Sequence, residues 1–159
     1  MNKPRILIVD DDEGFSRLVQ LVLEKAKLYE VKIENRSLNA LAAARKFKPE
    51  LILLDVDMPG FDGGEVARQV REDAALWDTK IVFFTSLLSQ QETRKGLVSR
   101  GGELFFSKPL DPSVLIRCIE TALSHIPAEV PIAVECRPQH DPVVARTRIH
   151  RNNQHLRRD

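Results

Sequence analysis

Three continuous apolar runs, at positions 6–9, 51–54 and 81–84, constrain this chain more than any other feature. A run without polar alternation suits a strand buried on both faces, as inside a parallel sheet. Val31 and Ile33 alternate with Lys32 and Glu34, the pattern of an edge strand with one wet face. A further apolar stretch at 104–106 supplies a fifth strand. Helical spacing lies between the runs. Phe15, Leu18, Val19, Val22 and Ala26 form one stripe; Leu38, Leu41, Ala42 and Phe47, stopped by Pro49, form a second; Val66, Ala67 and Val70 form a third. Val114, Leu115, Cys118, Ile119, Ala122 and Ile126 form the last, with Asp111 and Pro112 as its N-cap and first position. Residues 89–99 read as a weak helix, polar and carrying Gly96, which costs about 1 kcal/mol relative to Ala. Strand and helix in strict alternation predict right-handed βαβ units. The expectation is a doubly wound, five-stranded parallel α/β sheet with helices on both faces, ending near Ile126.

The totals permit one domain and a short appendage. The chain has 159 residues, 43% hydrophobic and 30% charged, with a formal net charge of +1. That balance carries no commitment to nucleic acid or membrane, and no apolar run approaches the roughly 20 residues of a membrane span. Cys118 and Cys136 lack metal-ligand spacing and suit a reducing cytoplasm. The chain divides into a domain at 1–126 and an extension at 127–159. The extension is broken by Pro127, Pro131, Pro138 and Pro142, carries a mild arginine excess and reads as flexible. Its arginines have no interleaved aromatics, so nucleic-acid binding is not expected. No output domain is expected to follow.

In parallel α/β sheets, ligands sit at the carboxyl ends of the strands. Polar residues of this chain gather there: Asp10, Asp11 and Asp12 after the first run, Asp55 after the third strand, Thr85 and Ser86 after the fourth, Lys108 after the fifth. A single such aspartate is ordinary helix capping, the reading open for Asp12. Four strand ends converging on one crevice point to chemistry. Carboxylates packed together repel, and a hard divalent cation relieves that repulsion. Asp10 and Asp11 are assigned to Mg²⁺, with Mn²⁺ as a substitute. Asp55 is the candidate nucleophile, a carboxylate able to form an acyl phosphate. Lys108 neutralises the transferring phosphoryl oxygens, and Thr85 offers them a hydroxyl.

These motifs resemble the receiver domain of two-component response regulators. The matching segments are Ile-Leu-Ile-Val-Asp10-Asp11-Asp12, Leu-Leu-Asp55-Val-Asp57-Met58-Pro59-Gly60-Phe61-Asp62-Gly63, Phe-Phe-Thr85-Ser86, and Lys108-Pro109. The resemblance, closest to stand-alone chemotaxis-type receivers, implies a flavodoxin-like sheet of order 2-1-3-4-5. It implies phosphoryl transfer to Asp55 from a histidine kinase, a histidine phosphotransfer protein or a small acyl phosphate. It also implies that the backbone carbonyl of Asp57 ligates the metal, and that the Lys108–Pro109 bond is cis. The family's switch pairs Thr85 with the residue at Phe105, where Phe replaces the commoner Tyr and removes a hydroxyl. Asp57 and the bulky Leu87 are candidates for setting the phosphoryl lifetime.

The resemblance makes the chain a signalling protein rather than a metabolic enzyme, limited to Mg²⁺-dependent self-phosphorylation and autodephosphorylation. The expected output face, also a candidate dimer surface, combines the 89–99 segment, the 104–106 strand and the last helix. Two alternatives are a receiver-like binding module that is never phosphorylated and a haloacid-dehalogenase-type phosphatase built on Asp55-Val56-Asp57. In the latter fold that motif belongs to the first strand, not the third.

Overall fold

The computed structural model describes residues 3–86, 97–108 and 111–124. In chain order the elements are β1 (Arg5–Val9), α1 (Glu13–Ala26), β2 (Glu30–Glu34), α2 (Ala40–Phe47), β3 (Leu51–Asp55), α3 (Gly63–Glu72), β4 (Lys80–Thr85), β5 (Leu97–Arg100), β6 (Glu103–Ser107) and α4 (Pro112–Leu123). They form one sheet of order β2-β1-β3-β4-β6-β5. Every pairing is parallel except β5 with β6. With β6 as the predicted fifth strand, the first five positions reproduce the flavodoxin-like order 2-1-3-4-5, and β2 lies at one edge as its alternating pattern predicts.

The sixth strand is a correction. Residues 97–99, read from the sequence as the end of a weak helix, lie in β5 instead. Gly101 and Gly102 both have positive φ, 58° and 84°. Left-handed backbone at both positions is what a two-residue hairpin turn of type I′ needs, and Gly-Gly supplies it without steric cost. The chain therefore folds back, placing Leu97 opposite Phe106 and Arg100 opposite Glu103. The rest of that predicted helix lies outside the described residues.

Two apolar layers sandwich the sheet. Ile6, Ile8, Leu51, Leu53, Val82 and Phe84 face α1 and α4. Leu7, Val9, Ile52, Leu54, Ile81 and Phe83 face α2 and α3. Both sets come from the same strands because successive side chains alternate faces. The stripes predicted on α3 and α4 are buried, Ile126 lying outside the described residues. Those on α1 and α2 are rotated. Helix α1 buries Ser16, Val19 and Leu23, while Leu18 is half exposed. Helix α2 buries Ala40, Ala43 and Ala44, and leaves Leu38 exposed in the preceding turn. Alanines line the buried side of α2, whereas on α1 Ser16 joins Val19 and Leu23 there. No described helix is long and apolar enough to cross a membrane.

Helix α4 begins as the sequence predicts. The Asp111 carboxylate accepts hydrogen bonds from the Ser113 hydroxyl and from the amides of Ser113 and Val114, with Pro112 at the first position. The Ser113 hydroxyl, then these two amides, hold the Asp111 carboxyl below its ordinary value of 3.8. A depressed folded value stabilises the protein above the unfolded pKa, and that stability is lost as pH falls through the folded one. Asp111→Ala should lower stability by about 1 kcal/mol at neutral pH. In urea unfolding the difference from the parent protein should shrink as pH is taken below 3.8.

Candidate functional site

The pleat and the parallel register carry the acids to one edge. Asp10 and Asp55 continue the rows Ile6–Ile8 and Leu51–Leu53, on the face covered by α1 and α4. Backbone hydrogen bonds tie the strand ends together: the Asp10 amide donates to the Glu34 carbonyl, the Val56 amide to Phe84, and the Lys108 amide to Thr85. Three carboxylates, Asp10, Asp11 and Asp55, offer oxygens within 4.8 Å of one another. Asp10 is fully buried, Asp55 is 8% exposed, and Asp11 lies open to solvent.

Lys108 closes the cluster. Its ammonium is 2.7 Å from Asp10 Oδ2 and 3.2 Å from Asp55 Oδ1. Burial pushes the Asp10 carboxyl above its ordinary 3.8; hydrogen bonds from Lys108 and the Asp12 amide offset only part of that. For Lys108, burial acts to lower the value, but the combined hydrogen bonds and charges of Asp10 and Asp55 outweigh it and raise it above 10.5. Three carboxylates against one ammonium leave two negative charges uncompensated within the cluster. Oxygen ligands in that number and spacing fit a hard divalent cation such as Mg²⁺.

A polar frame supports the acids. Asn35 Nδ2 donates to the Asp10 carbonyl at 2.6 Å and to Ser16 Oγ at 2.9 Å. The buried Ser16 hydroxyl lies within hydrogen-bond distance of the Asp10 and Asp12 carbonyls. On the other side, Ser37 Oγ donates to the Pro59 carbonyl and accepts from the Phe61 amide, bracketing Gly60, whose φ is +89°. Ser37 thereby pins the loop that follows Asp55. Gly63 lets α3 begin directly against the end of β3. Its amide donates to the Val56 carbonyl, and a Cβ there would lie 2.3 Å from the Asp55 carbonyl oxygen. Sequence reasoning found none of the first three roles, since Asn35, Ser16 and Ser37 are polar residues near helix starts, where polarity is the rule; Gly63 reads equally well as loop flexibility or helix entry.

The remaining candidates fall as follows. Thr85 ends β4 and is 5% exposed. Phe105 is half-buried on the α2–α3 face and stacks on Phe83, with ring centroids 5.1 Å apart. Asp57 is exposed. Asp12 is the N-cap of α1, its carboxylate accepting from the Phe15 amide. Leu87 and Pro109, and with the latter the Lys108–Pro109 bond, lie outside the described residues.

Comparison with known proteins yields consistent matches. Residues 6–120 match the family model of the response regulator receiver domain. The chain is 40% identical over 111 residues to Response regulator PleD of Caulobacter vibrioides, a match covering 70% of this chain and 24% of PleD. It is 34% identical over 121 residues to Protein PilH of Pseudomonas aeruginosa, covering 76% of this chain and 98% of PilH. It thus spans about a quarter of one relative and nearly the whole of the other. Among solved structures, chemotaxis protein CheY4 of Vibrio cholerae superposes with a TM-score of 0.65 at 27% identity, covering 76% of this chain and 99% of that one.

Gly63 gives the site a direct structural test. In Gly63→Ala the new methyl meets backbone, which cannot swing aside, so the variant should lose about 1–3 kcal/mol in urea unfolding. Gly64→Ala is the control. Its nearest new contact is the Asp62 carboxylate at 3.2 Å, and it should stay within about 1 kcal/mol of the parent.

Proposed function

Because the chain belongs to the response regulator receiver family of two-component systems, we propose that Asp55 accepts a phosphoryl group and so switches a protein-interaction surface. The observation that carries this reading is the meeting of Asp10, Asp11 and Asp55 with the Lys108 ammonium at one sheet edge. The family is one of signalling receivers, and membership removes the support for a haloacid-dehalogenase-type phosphatase.

An Asp55 carboxylate oxygen attacks phosphorus; the bond to the donor breaks, and the donor leaves with its electron pair. The donor is the phosphohistidine of a sensor kinase or histidine phosphotransfer protein, or a small acyl phosphate. Asp10, Asp11, Asp55 and the Asp57 carbonyl would hold Mg²⁺, or Mn²⁺ in its place. When bound, the ion supplies positive charge against the phosphoryl oxygens. Lys108 lies against Asp55 and neutralises the same oxygens from the protein side. Thr85, at the neighbouring strand end, donates its hydroxyl to the new phosphoryl group. Hydrolysis by water later returns the carboxylate and inorganic phosphate, Asp57 and Leu87 setting the lifetime.

Phosphorylation adds roughly −1.5 to −2 charge units. In this reading Thr85 and Phe105 transmit the change to the β5–β6 hairpin and α4, the face that meets a downstream protein or a second copy. The receiver occupies 1–126, and the protein acts in the cytoplasm.

Incubation with acetyl phosphate and Mg²⁺ should add one phosphoryl group by intact mass, with no addition in Asp55→Asn. An Asp55→Asn variant that still gains the group would place the acceptor elsewhere. Leu87→Ala should shorten the phosphoryl half-life, followed by the decay of the added mass after donor removal. An unchanged half-life removes Leu87 from the lifetime set.

A further inference from the structure

We propose that Phe15 is a positioning residue for Lys108, its ring holding the ammonium beside Asp55 once the acid cluster takes up a divalent cation. The inference rests on the functional reading above and deepens it. Among the described residues Lys108 Nζ has three close partners: Asp10 at 2.7 Å, Asp55 at 3.2 Å and the Phe15 ring, whose centroid is 4.5 Å away. That last distance lies within the range of ring–cation attraction.

The three partners are not equivalent. Asp10 serves the lysine and the prospective metal with the same carboxylate, so a bound cation weakens its hold on the ammonium. Asp55 changes character when it becomes an acyl phosphate. Phe15 is neutral and offers a hard hydrated ion no oxygen, so it does not enter that competition. Of the three, the ring alone keeps its attraction for the ammonium throughout.

The ring is also fixed in place. Phe15 stands in the first turn of α1, its amide tied to the Asp12 cap. Its ring meets Phe84 nearly perpendicularly, with centroids 5.5 Å apart. Phe84 is fully buried and in turn stands edge-on to Phe106 at 5.4 Å. This row of rings prevents Phe15 from drifting away when Lys108 shifts between partners. An aliphatic residue would fill the space against Phe84 but has no negative ring face for the ammonium.

Packing and positioning are therefore separable. Phe15→Leu keeps the apolar bulk, and Phe15→Tyr keeps the ring. Mg²⁺ affinity is measured by calorimetry, and phosphorylation by acetyl phosphate is followed by intact mass, a donor too small to need a docking surface. Phe15→Leu should weaken Mg²⁺ binding and slow phosphorylation, each by about threefold to tenfold. Phe15→Tyr should restore both to within about twofold of the parent. A leucine variant that binds Mg²⁺ as tightly as the parent, or a tyrosine variant as impaired as leucine, overturns the proposal. If the parent protein gains no phosphoryl group at all, the reading of Asp55 falls, while the Mg²⁺ comparison still decides the role of Phe15.

Discussion

Lys108 reaches across the ends of three neighbouring strands to lie 2.7 Å from Asp10 and 3.2 Å from Asp55, and the rest of the site is arranged around that contact. Taking a charge out of water costs several kcal/mol even after relaxation. Here two carboxylates and an ammonium are withdrawn together, at the tips of strands whose other residues are almost wholly apolar. Burial raises the Asp10 carboxyl above its ordinary 3.8 despite a lysine within hydrogen-bond distance. Apolar residues at 10 and 55 would continue the rows of Ile6, Ile8, Leu51 and Leu53 without that cost. The acids fit a site kept for chemistry, since a buried ion pair is weak evidence for stability.

The fold makes the cluster possible by register alone. Parallel pairing of β3 with β1 and β4 ends three strands at the same level, and alternation sends Asp10 and Asp55 to the same face. The loops are then held by side chains distant in sequence. Asn35 and Ser16 grip the backbone of Asp10, and Ser37 grips the loop after Asp55. Gly63 brings the start of α3 so close that a single methyl would strike the backbone at the end of β3. The acids therefore sit on a frame with little slack, as a preorganised site requires.

What was legible in the sequence follows from what is local. Continuous apolar runs mark buried strands, and the polar residues that stop them mark the ligand edge, so Asp10, Asp55, Thr85 and Lys108 could be placed by position alone. The Asp111–Pro112 helix start was equally visible, because capping is decided within four residues. Failures came where tertiary packing chose between local options. Leu18 and Leu38 satisfy helical periodicity but are exposed, while Ser16, Val19 and Leu23 of α1 and Ala40, Ala43 and Ala44 of α2 are the buried residues. β5 is only four residues long and follows a stretch with helical spacing; the informative signal was Gly101-Gly102, a hairpin turn rather than a loop. Ser37 could not be found by local reading, since its partners stand 22 and 24 residues away.

The same geometry bears on which acid takes the phosphoryl group in the proposed reaction. Asp10 is fully enclosed, with one carboxylate oxygen bonded to the Asp12 amide and the other to Lys108. Neither oxygen is open to an incoming phosphorus. Asp11 is open to solvent but forms no ion pair with Lys108, so charge building on its phosphoryl oxygens would lack that ammonium. Asp55 alone combines partial exposure, a place at the tip of a central strand and an ammonium at 3.2 Å. A nucleophile needs access on one side and a fixed cation on the other. Among the three carboxylates only Asp55 has both, which supports its proposed role as acceptor.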